Sequence, residues 1–206
     1  LIPDYINAEL GQKYEIHSYT INTKNYSVPQ VRERAIFLIT KKGLSNIWLL
    51  PEPDEKIITM RDAIGNIPSI DPYIKDISKE EMQEMFPEYE AKRKRALEIS
   101  IWNIPPHHIK RQVVSMMHTP TGKTAFDNKK YFPIKENGIP VKGYRNTYKR
   151  QNWDTPAYTV TMDNRKISSQ NNVHPGRYLG KDQNGDDLYS DARTLTLYEL
   201  MLIMSL

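Results

Sequence analysis

The chain has 206 residues, with 29 Lys and Arg against 25 Asp and Glu, a net charge of +4 and a pI near 9.0. Hydrophobic residues make up 38% and mean hydropathy is −0.67, which allows one medium domain or two small ones and argues against wholesale disorder. No apolar run approaches the ~20 residues of a membrane span. Leu1-Ile2-Pro3-Asp4 lacks the basic-then-apolar order of a secretion signal, and the absence of cysteine excludes a disulfide scaffold, a cysteine-ligated zinc and a cysteine nucleophile within this chain.

Residues 13–22 are rich in β-branched and aromatic side chains and predict a strand. Residues 35–40, Ala-Ile-Phe-Leu-Ile-Thr, predict a strand buried on both faces. The polar connection between them contains Val28-Pro29, which breaks any helix, so the two read as adjacent antiparallel strands of one sheet. Thr59 and Asp62 open a short helix ended by Gly65. Ser78 and Glu81 form a capping box for a helix through Met85, and after Pro87 a second helix is expected at 88–100. Residues 103–152, dense in Pro, Gly, Asn and Lys, predict short strands and long loops, and 157–162 alternate as a strand. Thr196 and Glu199 are another capping box, opening an apolar helix in which the chain stops, so the chain reads as a segment of a longer protein.

Charge is uneven. Residues 51–90 carry 11 acidic and 4 basic side chains, a net of −7, whereas 107–181 carry 14 basic and 4 acidic, a net of +10. A basic half of that kind suits a polyanion, nucleic acid above all, or is a solvated face. Tyr131, Phe132, Tyr144, Tyr148, Trp153 and Tyr158 lie among the basic residues, where rings either stack on bases or build a small core; core is the better reading for most. Three histidines, His107, His108 and His118, have neither cysteine nor paired carboxylates beside them, so no metal site is expected. Asp182-Gln183-Asn184-Gly185-Asp186 imitates the front of a calcium loop, but its twelfth position is Arg193, and an Asn-Gly turn is the better reading.

Two constellations stand out. In Val28-Pro29-Gln30-Val31-Arg32-Glu33-Arg34, extended backbone sets Gln30, Arg32 and Arg34 on one face, about 6.5–7 Å apart in succession. Such guanidiniums can grip phosphates or a base carbonyl, or simply sit solvated at a strand start. In Arg150 through Pro156 to Thr161, Thr159 and Thr161 share a face and can bond phosphate oxygens, unless they reflect only the β-propensity of threonine.

In this order, Gln30-x-Arg32-x-Arg34, Arg150…Pro156-x-x-Thr159-x-Thr161 and Arg193-x-Leu195-Thr196-x-x-Glu199, with His174-Pro175 before the last, resemble the C-terminal part of bacterial DNA cytosine-5 methyltransferases of restriction-modification type. The resemblance spans Asn25 to Leu206. It implies an enzyme that flips cytosine from duplex DNA, attacks carbon 6 with a cysteine thiolate and transfers methyl from S-adenosylmethionine to carbon 5. It implies Arg34 at the flipped cytosine or its phosphate, Arg32 bracing the backbone, Gln30 shaping the pocket, and Arg150, Thr159 and Thr161 positioning DNA and buttressing the recognition region. Bases are then read in the major groove, with Arg145, Lys149, Arg165, Lys166, Gln170, Asn171 and Asn172 as candidates.

The family's Pro-Cys nucleophile, Gly-rich cofactor loop, Glu-Asn-Val motif and closing Gly-Asn motif are missing. The resemblance therefore implies a fragment that is inactive alone and binds no cofactor. Its partners are double-stranded DNA and an N-terminal catalytic region of the same chain, in the bacterial cytoplasm beside the nucleoid, with neither membrane nor metal. The expected fold is mixed α+β. Residues 1–58 form an edge strand pair of a Rossmann-like methyltransferase sheet, 59–190 a loop-rich target recognition domain with small sheet and short helices, and 191–206 a helix returning to the catalytic domain. Two other readings are a stand-alone or split-subunit DNA-binding module and an RNA cytosine-5 methyltransferase fragment. The long basic region favours duplex DNA.

Overall fold

The structure, a computed structural model, describes residues 2–128, 130–143, 145–161, 167 and 172–206. Helix α1 (Ile2–Leu10) precedes an antiparallel pair, β1 (Tyr14–Asn22) and β2 (Glu33–Lys41), joined through a 3-10 turn at Thr23–Tyr26. Ser27 closes that turn in the left-handed region at φ 57. The pairing expected from sequence is there, running from Tyr14 opposite Lys41 to Asn22 opposite Glu33. Burial of β2 on both faces is not. Thr40 is its one buried residue, Ile36, Phe37 and Leu38 are half-buried and Ile39 is exposed, and β1 is its only ladder partner among the described residues.

Helix α2 (Met60–Ile64) starts at the expected box: Thr59 Oγ1 accepts from Asp62 N at 3.2 Å and the Asp62 carboxylate accepts from Thr59 N at 2.9 Å. Strand β3 (Tyr73–Ile74) leads to α3 (Lys79–Met85), capped by Ser78, and α4 (Tyr89–Ile99), separated at Pro87 as the sequence requires. Strand β4 (His107–His108) lies parallel to β3. Helix α5 (Lys110–Met117) interrupts the stretch expected to be strand and loop. Its first residue follows Ile109, which has no side-chain acceptor; Gln112 reaches back instead, its Oε1 accepting from Ile109 N at 3.2 Å. Its signal was the buried pair Val113 and Met116 at helical spacing.

The hairpin β5 (Tyr178–Lys181) and β6 (Asp187–Tyr189) turns at Asp182–Asp186, with Gly185 at φ 80. Asp182 Oδ1 accepts from the backbone N–H groups of Asn184 and Asp186, so this carboxylate closes a turn. Helix α6 (Leu197–Ile203) has both halves of its box at Thr196 and Glu199. It closes on left-handed Ser205 (φ 58), with Ser205 N donating to Leu202 O and Leu206 N to Met201 O, the pair of bonds that terminates many helices. The expected strand at 157–162 is absent as a ladder over 157–161, and residue 162 lies outside the described residues. Ala157 alone bridges Gln30 in parallel, and side chains take over the remaining main-chain partners.

Two apolar cores form. One gathers Met82, Phe86, Val113, Met116 and Tyr148 around α3, α4 and α5; the other packs α2 against α6 through Met60, Ile64, Leu200 and Ile203, with Trp153 and Ala157. Between them the segment 172–199 carries a buried charge network. Arg193 grips Glu199 with two bonds, Nη1 to Oε2 at 2.8 Å and Nη2 to Oε1 at 2.9 Å. It also donates to Asp191 Oδ1 at 3.0 Å and to Ile70 O at 3.1 Å. Asp191 accepts further from Ile70 N, Ser69 Oγ and Ser190 Oγ. Burial alone would raise the Asp191 carboxyl, but His174, Arg193 and these hydrogen bonds outweigh it and hold it well below the usual range.

Arg150 sits beside this network with no solvent exposure, and its five donors are spent on carbonyls: Met116 twice, His174, Ser190 and Asp191, at 2.7–3.2 Å. Burial lowers this guanidinium to about 10, so it stays charged at neutral pH. Gly176 at φ 73 presses against it; a Cβ there would lie 2.3 Å from Arg150 Nη1. His174 Nδ1 accepts from Gly176 N at 3.0 Å, which leaves Nε2 as the protonated nitrogen, 3.6 Å from Glu199.

Arg150→Met strands these carbonyls and is expected to cost about 3–5 kcal/mol, a large part of the whole stability of such a domain; a urea midpoint close to the parent's would contradict this. Acid should unfold the protein early. Burial foremost pushes His174 and His108 down to about 4 from 6.5, so both are neutral when folded. Between those values the unfolded chain binds more protons. Stability therefore falls as pH drops from about 6.5 towards 4, by at most about 2.7 kcal/mol per pH unit for the two histidines. Urea titrations at pH 7, 5.5 and 4.5 test this; equal midpoints would refute it.

Candidate nucleic-acid interface

The Gln30–Arg34 segment is held as an arch. Asn22 Oδ1 accepts from Lys24 N and Arg32 N, both at 3.3 Å, and Thr23 Oγ1 donates to Gln30 O at 2.7 Å. Pro29 leaves Gln30 outside the β1–β2 ladder, free to pair elsewhere. It pairs with the segment after Pro156. Val31 N donates to Ala157 O at 2.8 Å and Ala157 N to Pro29 O at 2.9 Å. Side chains extend the crossing: Val160 N donates to Gln30 Oε1 at 3.3 Å, Arg32 Nη1 to Val160 O at 3.0 Å, and Thr159 Oγ1 to Val31 O at 2.6 Å. Two segments about 130 residues apart are thereby clasped, the Arg32–Val160 bond alone spanning 128 positions.

Gln30 is buried and Arg32 half-buried inside this clasp, whereas Arg34 is exposed, its Nη1 resting on Glu33 O at 2.6 Å. Among the described residues neither guanidinium is in an ion pair. Thr159 and Thr161 are exposed on the same segment. The turn at Trp153–Thr155 that feeds it docks on α2: Met60 N donates to Thr155 O, Arg61 N to Trp153 O, and the exposed Arg61 side chain pairs with Asp154 at 2.8 Å. The Trp153 indole donates to Gly176 O at 2.6 Å, with the guanidinium carbons of Arg177 and Arg61 at 5.0 and 5.7 Å from its ring.

The expected residues therefore divide. Gln30, Arg32 and Thr159 meet across the clasp, and Arg34 and Thr161 are exposed close to it in sequence. Arg150 does not reach its surface; fully enclosed by carbonyls, it is a frame residue and touches no solvent-borne phosphate in this conformation. Of the base-reading candidates, Arg145 is exposed, and Lys149 lies with its ammonium 4.4 Å from the centre of the Tyr158 ring. Asn172 is buried, its carbonyl accepting from Leu195 N, so its side chain faces the interior and not a groove. Arg165, Lys166, Gln170 and Asn171 lie outside the described residues, as does Tyr144. Tyr148 and Trp153 are core, as expected of most of the rings. Sequence reasoning missed Asp191 and the function of His174 as network members, because neither has a local motif.

Among the described residues no group of three or more His, Asp or Glu is arranged to hold a metal, and no helix is long and apolar enough to cross a membrane. Cavities of about 470, 740 and 310 Å³ open beside α5, α6 and α3. None of the three has a glycine in its wall.

Comparison with known proteins agrees with the family that the resemblance named. Residues 6–206 match the family described as C-5 cytosine-specific DNA methylase. The chain is 40% identical over 205 residues to the type II methyltransferase M1.HgaI of Avibacterium volantium, covering 100% of this chain and 49% of that protein. A shorter match, 33% over 67 residues, is to the type II methyltransferase M.MthTI of Methanothermobacter thermautotrophicus, covering 32% of this chain and 20% of that protein. A crystal structure of a DNA modification methyltransferase encoded within a prophage (E. coli) superposes with TM-score 0.52 at 15% identity, covering 98% of this chain and 53% of that one. The chain thus spans about half the length of the first of these relatives and of the solved structure. By the match along nearly all of its length, the chain belongs to the C-5 cytosine-specific DNA methylase family.

Proposed function

We propose that the chain is the DNA-binding, target-recognition portion of a cytosine-5 DNA methyltransferase of a restriction-modification system, acting in the cytoplasm on double-stranded DNA. The observation that carries this reading is the clasp. It fixes the recognition segment to the β1–β2 pair through Gln30, Arg32 and Thr159 and leaves Arg34 exposed at the seam, without an ion pair among the described residues. The half-exposed β1–β2 pair supports a place at the edge of a Rossmann-like sheet supplied by the rest of the parent protein. On this reading residues 1–58 close the catalytic domain, 59–190 recognise DNA, and 191–206 lead back.

In the proposed mechanism Gln30 and Arg32 work on protein. They hold the recognition segment in register with the strand pair, so a base read by that segment stands at a fixed distance from the catalytic side. Arg34 works on nucleic acid: a guanidinium is permanently charged and offers paired donors to a phosphate or a pyrimidine carbonyl. Burial of Arg150 makes it a support for the recognition region and removes it from the DNA contacts. S-adenosylmethionine supplies the methyl group when bound elsewhere in the parent enzyme, and the attacking cysteine is outside this chain. The chain alone transfers nothing.

The isolated chain should bind mixed-sequence duplex DNA with affinity that falls steeply between 50 and 200 mM salt, because phosphate contacts dominate such binding. Fluorescence anisotropy measures it, and salt-independent binding would sink the reading. In the parent enzyme Arg34→Ala should lower methylation about 10–100-fold, the worth of a charge-assisted bond, with a smaller loss of DNA affinity. Equal losses in both would make Arg34 a backbone anchor only.

A further inference from the structure

The rings of the basic half sort themselves by burial. Tyr148 and Trp153 are core, and Tyr131 lies stacked on His118 at 3.5 Å with its hydroxyl on Asp186. Tyr158 is different. It is 37% exposed, it joins neither apolar core, and its backbone is fixed on every side. Tyr158 N donates to Gln151 Oε1 at 3.1 Å; Ala157 before it is bonded to Pro29 and Val31; Thr159 after it is bonded to Val31. A solvent-facing aromatic on so rigid a support has lost its freedom before any ligand arrives. Lys149 completes the pair, its ammonium 4.4 Å from the ring centre and in no ion pair with a described residue.

We infer that Tyr158 and Lys149 form one contact with the duplex backbone beside the clasp, the ring packing on a sugar face and the ammonium meeting the adjoining phosphate. This deepens the proposed function and rests on it. Neither a ring packed on a sugar nor a lysine on a phosphate carries sequence information. The pair therefore supplies affinity and register next to the residues that read sequence. Its preorganisation adds to the effect, since neither the backbone nor the aromatic side chain has much left to lose on binding.

The two halves of the pair have different signatures. Anisotropy with a mixed-sequence 30-base-pair duplex, run at several salt concentrations on the full 206-residue chain, separates them. Tyr158→Ala should weaken binding about tenfold with an unchanged salt slope, and Tyr158→Phe should bind as the parent does, because the ring and not the hydroxyl makes the contact. Lys149→Gln should reduce the slope by about one ion. Circular dichroism and a thermal midpoint show that each variant is folded. Parent-like affinity in folded Tyr158→Ala, or an unchanged slope in Lys149→Gln, overturns the inference while leaving the proposed function standing. A parent chain that does not bind the duplex overturns both.

Discussion

The bidentate grip of Arg193 on Glu199 is the contact from which the rest of the fold is organised. Both side chains are fully buried, and an ion pair in such a place holds only if every remaining donor and acceptor is met. That requirement recruits distant chain. Asp191 takes the other side of the guanidinium and, through its own two oxygens, ties down Ser69 and Ile70 from the acidic stretch. Glu199 also accepts from Thr196 N, so the carboxylate that neutralises Arg193 is the one that caps α6. One residue thereby starts a helix, neutralises a cation and joins the two cores.

Arg150 extends the same logic by other means. Its charge is met by carbonyl dipoles from three places in the chain, with Asp191 the nearest carboxylate influence. The consequence is a rigid platform directly before the Trp153 turn, and the segment that crosses the β1–β2 pair leaves from that turn. Precision at the seam is inherited from the buried cations behind it. A surface made of loops needs such a base, because loops have little ladder hydrogen bonding of their own to fix them.

The sequence made local structure legible and long-range chemistry hardly at all. The β1–β2 pair, the Thr59, Ser78 and Thr196 helix starts and the Asn184-Gly185 turn were all visible, because each is decided by residues within a few positions of one another. Helix α5 was hidden by an N-cap with no side-chain acceptor, and the Thr-rich 157–161 segment imitated a strand, although past the single bridge at Ala157 its bonds to the Gln30 segment run through side chains. The burial of Arg150 could not be read, since its acceptors are main-chain oxygens at positions 116, 174, 190 and 191 and main chain has no signature in sequence. Spacing did bring out Gln30, Arg32 and Arg34 as a set, but not that two of them face protein and one faces solvent.

The order in which the chain leaves the ribosome gives the hub a further meaning. Ser69 and Ile70 are made before their carboxylate partner Asp191, which is 122 and 121 positions later, and Glu199 is later still. Translation at roughly 5–20 residues per second leaves an interval of several seconds in which Met60 and Ile64 have no α6 to lie against. The basic stretch emerges during that wait, before its buried arginines have their acceptors. Closure of the hub therefore waits for α6, whose Glu199 completes the charge set of Arg193.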